Sequence, residues 1–161
     1  MRTPSGRSAA YAAAVVEAVP RTARGRRPGY RLRLLGALLI RTPDAPQPRG
    51  GISALTVARV SAQRLRFKVR VTNRGGVHGY PENLRVRLTD SRGRTVLERA
   101  PRTGVVLPGY RRDCPLDLFR RLRAGTYTAE ATGQFGSVRS RAVVDFTVAP
   151  GNRVRSVRRV R

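Results

Sequence analysis

Between Arg64 and Val71 the chain alternates cation and apolar residue without a break: Arg64, Arg66, Lys68 and Arg70 interleave with Leu65, Phe67, Val69 and Val71. A period of two puts successive side chains on opposite faces of a strand, whereas a helix would scatter them around its circumference. One face of this segment must therefore pack against a second layer, and the other is cationic. The pattern recurs at Leu84, Val86 and Leu88, which alternate with Arg85, Arg87 and Thr89 before Asp90-Ser91-Arg92-Gly93, a hairpin turn signal. Thr95-Val96-Leu97 is expected to return alongside.

The same period extends the expectation in both directions. Residues 52 to 60 read as a first strand with Leu55 and Val57 inward, and Val105-Val106-Leu107 reads as a strand ending at the Pro108-Gly109 turn. Residues 116 to 122 fit a short strand or a helical turn. Tyr127, Ala129 and Ala131 share one face of the next strand, and Val144, Phe146 and Val148 one face of the last. Short alternating runs separated by Gly, Pro, Asn and Asp predict an all-β fold, an immunoglobulin-like antiparallel β-sandwich of about seven strands over residues 52 to 149. Leu122-Arg123-Ala124-Gly125-Thr126-Tyr127 places a Tyr just after a Gly turn, the arrangement of a tyrosine corner or of a Tyr filling the core near a turn. Tyr127 and Gly125 are structural on either account.

Outside this region the signals weaken. Arg2 and Arg7 precede an apolar stretch from Ala9 to Val16, but Glu17 interrupts it and Ala18-Val19-Pro20 is a poor cleavage site. Residues 1 to 29 are expected to be a basic leader, disordered or in a short Ala-rich helix. Residues 30 to 50 comprise an extra strand, or two with a kink at Gly36, and a Pro-rich linker with a boundary near Pro48. Residues 150 to 161 read as a flexible Arg-rich tail. No window reaches the ~18 to 20 uninterrupted apolar residues that a membrane-spanning helix needs.

With 34 Lys and Arg against 9 Asp and Glu, the net charge is +25, which favours polyanionic partners. Lys68 is the sole lysine, a skew that a GC-rich genome also produces, so the arrangement of the arginines says more than their number. If the strands at 64–71 and 84–89 share a sheet, Arg64, Arg66, Lys68, Arg70, Arg85 and Arg87 form one cationic face that an anion would relieve of repulsion. If they lie in opposite sheets, the face becomes two stripes.

Two motifs add a resemblance. Val71-Thr72-Asn73-Arg74-Gly75-Gly76-Val77-His78, followed by Pro81, resembles the Asn-x-Gly-Asn-Val-His turn of the carboxy-terminal Ig-like region of bacterial WxL-interacting-type surface proteins, with Gly76 where that family has Asn. Val106-Leu107-Pro108-Gly109-Tyr110-Arg111, then the Gly125-Thr126-Tyr127 strand start, is similar to the same region's Leu-Pro-Gly loop and Gly-x-Tyr segment. The resemblance covers roughly residues 30 to 149. It implies an Ig-like adhesion or binding domain at a cell envelope or outside the cell, with residues 30 to 40 the last strand of an upstream domain. Without it the expected location is cytoplasmic.

Catalytic chemistry has little to draw on. The sole histidine, His78, lies in a Gly-rich turn, where bonding to local backbone is its expected role, and Cys114 has the character of a small core residue. One His and one Cys cannot make a four-ligand structural zinc site, and no phosphate-binding loop or paired-carboxylate pattern occurs. The expectation is a noncatalytic module without metal or cofactor. Its binding loops would be residues 73 to 81 and 106 to 111, with Asn73, Gly75, His78, Tyr80, Pro108, Tyr110 and Arg111 as contact candidates. The expected partner is an anionic polymer or a protein of the envelope. The alternatives are a nucleic-acid-binding protein acting through phosphate contacts, and a truncated domain without independent activity.

Overall fold

The computed structural model of the protein describes residues 9–18, 32–42 and 45–160. Its described residues form ten strands, all paired antiparallel, and no helix. They fall into two compact units, Met1–Ala45 and Pro46–Arg161.

The first unit is a hairpin of β1 (Ala9–Ala18) and β2 (Leu32–Arg41), with Ala14 opposite Gly36 and Glu17 opposite Arg33. Arg33 Nε donates to Glu17 at 2.9 Å across that register. A helix or disorder was the expectation for the Ala-rich segment; it is a strand. Isolated helices this short are marginal, while an apolar strand such as β2 offers a full ladder of donors and acceptors, so pairing overrides alanine's local preference. Of the two readings for residues 30 to 40, one strand or two with a kink at Gly36, the described residues show the first, since β2 runs through Gly36 unbroken. The remainder of the leader, residues 1–8 and 19–29, lies outside the described residues.

The second unit holds β3 (Gly50–Ser61), β4 (Arg64–Asn73), β5 (Pro81–Asp90), β6 (Thr95–Arg99), β7 (Arg111–Leu118), β8 (Gly125–Phe135), β9 (Val138–Ala149) and β10 (Arg153–Val160). They make a three-stranded sheet, β3-β4-β7, and a five-stranded sheet, β10-β9-β8-β5-β6. The alternation read from sequence holds strand by strand: Leu65, Phe67, Val69 and Val71 are buried from one sheet, and Leu84, Val86, Leu88, Val144, Phe146 and Val148 from the other. All belong to one core. Phe67 meets Phe146 edge to face across the two layers at 6.1 Å, and Tyr127 stacks on Phe146 at 5.8 Å. Cys114 is fully buried in this core, and burial pushes its thiol pKa up.

Two strand assignments change. Val105-Val106-Leu107 is not a strand but contributes an isolated bridge, Val106 to Gly79, because the Pro-rich connection leaves no partner long enough for a ladder. The tail expected to be flexible is β10, paired with β9 from Ala149–Arg153 to Val143–Val160. Its valines alternate only partly, and a bulge between Val154 and Ser156 absorbs the break in period.

Strand directions sort the connections into two ends. Gly50 of β3 lies opposite Asn73, and Ser61 opposite Arg64. The connections 74–80, 100–110 and 136–137 gather at the Asn73 end. The connections 62–63, 91–94, 119–124 and 150–152 gather at the other, where Asn152 sits.

Candidate functional site

The two loops singled out by sequence meet at the Asn73 end. Gly79 N donates to Val106 O at 3.2 Å and Val106 N to Gly79 O at 2.8 Å, stitching the β4–β5 and β6–β7 connections together. Asn73 is the clasp. It is fully buried, its Nδ2 donates to Val77 O at 2.7 Å and to Val106 O at 2.9 Å, and its Oδ1 accepts from Gly75 N at 2.9 Å. Its own backbone N donates to Tyr110 O, and its carbonyl accepts from Gly109 N. Every hydrogen-bonding group of the residue is thus used inside the protein, so Asn73 organises the loops rather than contacting a ligand.

Gly75 is also structural. Its N and that of Arg74 both donate to Arg49 O, and a Cβ at Gly75 would come within 2.8 Å of Arg49 N. Pro108 and Gly109 form a turn closed by Tyr110 N donating to Leu107 O at 3.1 Å; Gly109 has φ +75°, which suits the third position of a type II turn. His78 is half-buried in the loop. What the clasped loops present outward is Tyr80, 54% exposed, Tyr110, 67% exposed, and Leu107, with Arg74 and Arg111 beside them. Next to this rim a cavity of about 320 Å³ is lined by Arg49, Arg74, Ser53, Thr72 and Ser140 together with the backbone of Gly50, Gly51 and Ile52. Inside it Thr72 Oγ1 donates to Ser53 Oγ at 2.8 Å, and Ser140 Oγ accepts from Ile52 N at 2.9 Å. Two guanidiniums beside hydroxyls and two exposed phenols suit sugar hydroxyls and acidic groups; they supply no general base.

The single cationic face does not exist. β4 and β5 belong to different sheets, so Arg64, Arg66, Lys68 and Arg70 form one stripe and Arg85 and Arg87 another. Every arginine of both stripes is also ion-paired, three carboxylates serving five arginines, with acidic residues on neighbouring strands that the period-two pattern does not reveal. Asp117 of β7 accepts from Arg66 Nε at 2.8 Å and also binds Arg64, and Asp113 accepts from Arg70 Nε at 2.7 Å. Glu98 of β6 bridges Arg87 at 3.1 Å and Arg85 at 3.7 Å. Lys68 remains exposed between them.

Hydrogen bonds from Arg66 and Arg64 hold the Asp117 carboxyl far below the usual carboxylate range, and Arg70 lowers Asp113 in the same way. A depressed folded-state pKa contributes stability that is complete above the unfolded value, 3.8 for these residues, and is lost as pH falls from there toward the folded value. The urea midpoint is therefore expected to fall between about pH 4.5 and pH 2, and Asp117→Asn to flatten that fall. An identical pH profile for the variant would show that the pair contributes nothing.

Tyr127 OH donates to Arg123 O at 2.8 Å, the upstream backbone bond of a tyrosine corner, and Gly125 at the strand start has φ +153°. One structural residue escaped sequence reasoning altogether. Asn152, fully buried with φ +58°, accepts from Leu122 N at 2.8 Å and donates to Arg120 O at 2.9 Å, pinning the β7–β8 loop to the β9–β10 turn. Its one signal was the Gly-Asn turn pair, which reads as the start of a tail when β10 is not foreseen. Among the described residues no group of three or more His, Cys, Asp or Glu is placed to hold a metal ion.

Compared with known proteins, the chain matches no family model, and no curated protein matches it.

Proposed function

We propose that this chain is a noncatalytic, Ig-like binding module of a bacterial cell envelope, engaging an acidic wall polymer, or a partner protein, through the Asn73 end. The observation that carries the reading is the clasped double loop. Two connections far apart in sequence are cross-bonded through Asn73 and the Gly79–Val106 bridge, so Tyr80 and Tyr110 stand exposed on a rim that loses little freedom on binding. The Arg49 and Arg74 cavity beside it adds charge complementarity to acidic groups. Two facing antiparallel layers and the Tyr127 bond to Arg123 O support the Ig-like assignment. The envelope location rests on the loop motifs that resemble the WxL-interacting-type proteins.

The test is retention of purified protein on cell-wall sacculi and on bulk duplex DNA, at low and moderate salt. Retention on sacculi at moderate salt is expected, with at least about thirtyfold weakening in Tyr80→Ser/Tyr110→Ser, since exposed aromatic anchors carry most of such binding energy. If DNA is retained and sacculi are not, the protein is a phosphate-binding one and the rim is not its site.

A further inference from the structure

At the opposite end of the second unit, the β7–β8 loop exposes a phenylalanine while being held rigidly in place. Leu122 enters the core, its N donates to Asn152 Oδ1 at 2.8 Å, Asn152 Nδ2 donates to Arg120 O at 2.9 Å, and Tyr127 OH donates to Arg123 O at 2.8 Å. Arg120 Nη2 reaches Val96 O at 3.1 Å, and Arg59 Nε ties β3 to Gly151 O at 3.0 Å. In this fixed loop Phe119 is 73% exposed, with the Arg64 guanidinium 4.9 Å from its ring centroid. Val60, at the end of β3, is 47% exposed. A loop with this many anchors has no freedom to fold Phe119 inward, so its exposure is a property of the folded state.

The charge around these apolar tips is one-sided. Arg92, Arg121, Arg123 and Arg153 are exposed and take part in none of the ion pairs found among the described residues. The carboxylates nearest this end are already engaged, Asp90 by Arg94 at 2.8 Å and Asp117 by Arg64 and Arg66. Each arginine of the strand stripes has a carboxylate partner, and these four arginines have none among the described residues.

We propose that the Asn152 end is a docking surface for an anionic lipid bilayer, with Phe119 and Val60 entering the interface and Arg92, Arg121, Arg123 and Arg153 meeting the headgroup phosphates. Guanidiniums on flexible stems stay at phosphate level while apolar tips go deeper. A single-stranded nucleic acid fits less well, because base stacking uses successive aromatic platforms and, among the described residues, Phe119 is the one exposed aromatic at this end. The surface is distinct from the tyrosine rim and does not depend on the wall-binding reading.

Cosedimentation of the full chain with phosphatidylcholine vesicles containing phosphatidylglycerol tests this, against pure phosphatidylcholine and with a single-stranded oligonucleotide as competitor. Binding to the anionic vesicles alone is expected. Each cation at such a surface is worth about fivefold in affinity, so Arg121→Ser/Arg123→Ser should weaken it roughly 25-fold. Phe119→Ser should weaken it at least about tenfold without lowering thermal stability, since its side chain is largely in water already. Arg102→Ser/Arg139→Ser, which removes the same charge away from this end, should bind within about twofold of wild type if local charge decides the affinity. Equal loss from both double variants would mean that net charge alone is responsible and would overturn the proposal. Binding unaffected by Phe119→Ser and Arg121→Ser/Arg123→Ser, or no binding to anionic vesicles, would overturn it as well. Displacement by the oligonucleotide at lower concentration than by lipid would assign the apex to nucleic acid instead.

Discussion

Phe146→Ala is expected to lower the unfolding free energy by about 3 to 5 kcal/mol, the range for removing a large aromatic from a closed core. Phe146 is 1% exposed and its ring packs against rings of both layers, edge to face with Phe67 of β4 and stacked with Tyr127 of β8. Alanine leaves a cavity between two sheets whose backbones are held by their own ladders and cannot close on it. For a unit of this size the melting temperature should drop by roughly 15 °C or more. Thermal and urea unfolding measure this, and a loss under about 1.5 kcal/mol would mean that the layers do not meet as described.

Asn73→Ala should cost about 3 kcal/mol, nearly as much, through a different mechanism and with a local signature. The substitution leaves the buried Val77 carbonyl without its donor, and takes one of two hydrogen bonds each from the Val106 carbonyl, which keeps Gly79 N, and the Gly75 N–H, which keeps Arg49 O. A buried group deprived of its partner retains its full desolvation cost, whereas an exposed one turns to water. Hydrogen exchange distinguishes this loss from general destabilisation. The Val106 amide, bonded to Gly79 O, should exchange much faster in the variant, while the Leu122 amide, bonded to Asn152 at the far end, should change only with global stability. Uniform acceleration at both ends would remove Asn73 from its role as clasp, and with it the preorganisation on which the tyrosine rim depends.

The candidate site was legible in part, and the division follows from how far each interaction reaches. Pro108-Gly109 announces its turn because the constraint is local: proline presets one dihedral angle and glycine permits the next. Tyr80 and Tyr110 could be named as loop residues for the same reason. That Asn73 would be buried beneath those loops could not, since a turn asparagine exposed to solvent and one bonded to Val106 O, 33 residues away, have the same neighbours in sequence. The Arg121–Arg123 apex was obscured similarly. Residues 116 to 122 fitted a strand or a helical turn, and only the path of β7, ending at Leu118, turns Phe119 and the following arginines outward.

Period and composition alone determined that the chain is built of strands, which faces are buried, and that its surface is strongly cationic. Those properties reside in side chains one or two positions apart. Tertiary structure decided which strand lies beside which, and with that the electrostatics: β4 paired with β7 brings Asp117 to Arg64 and Arg66, and β5 paired with β6 brings Glu98 to Arg85 and Arg87. An ion pair of a few ångströms depends on strand order, and alternation within a strand is the same whatever its neighbour. For that reason the arginines most regular in sequence are ion-paired in the fold, and irregular ones such as Arg121 and Arg123 have no carboxylate partner among the described residues.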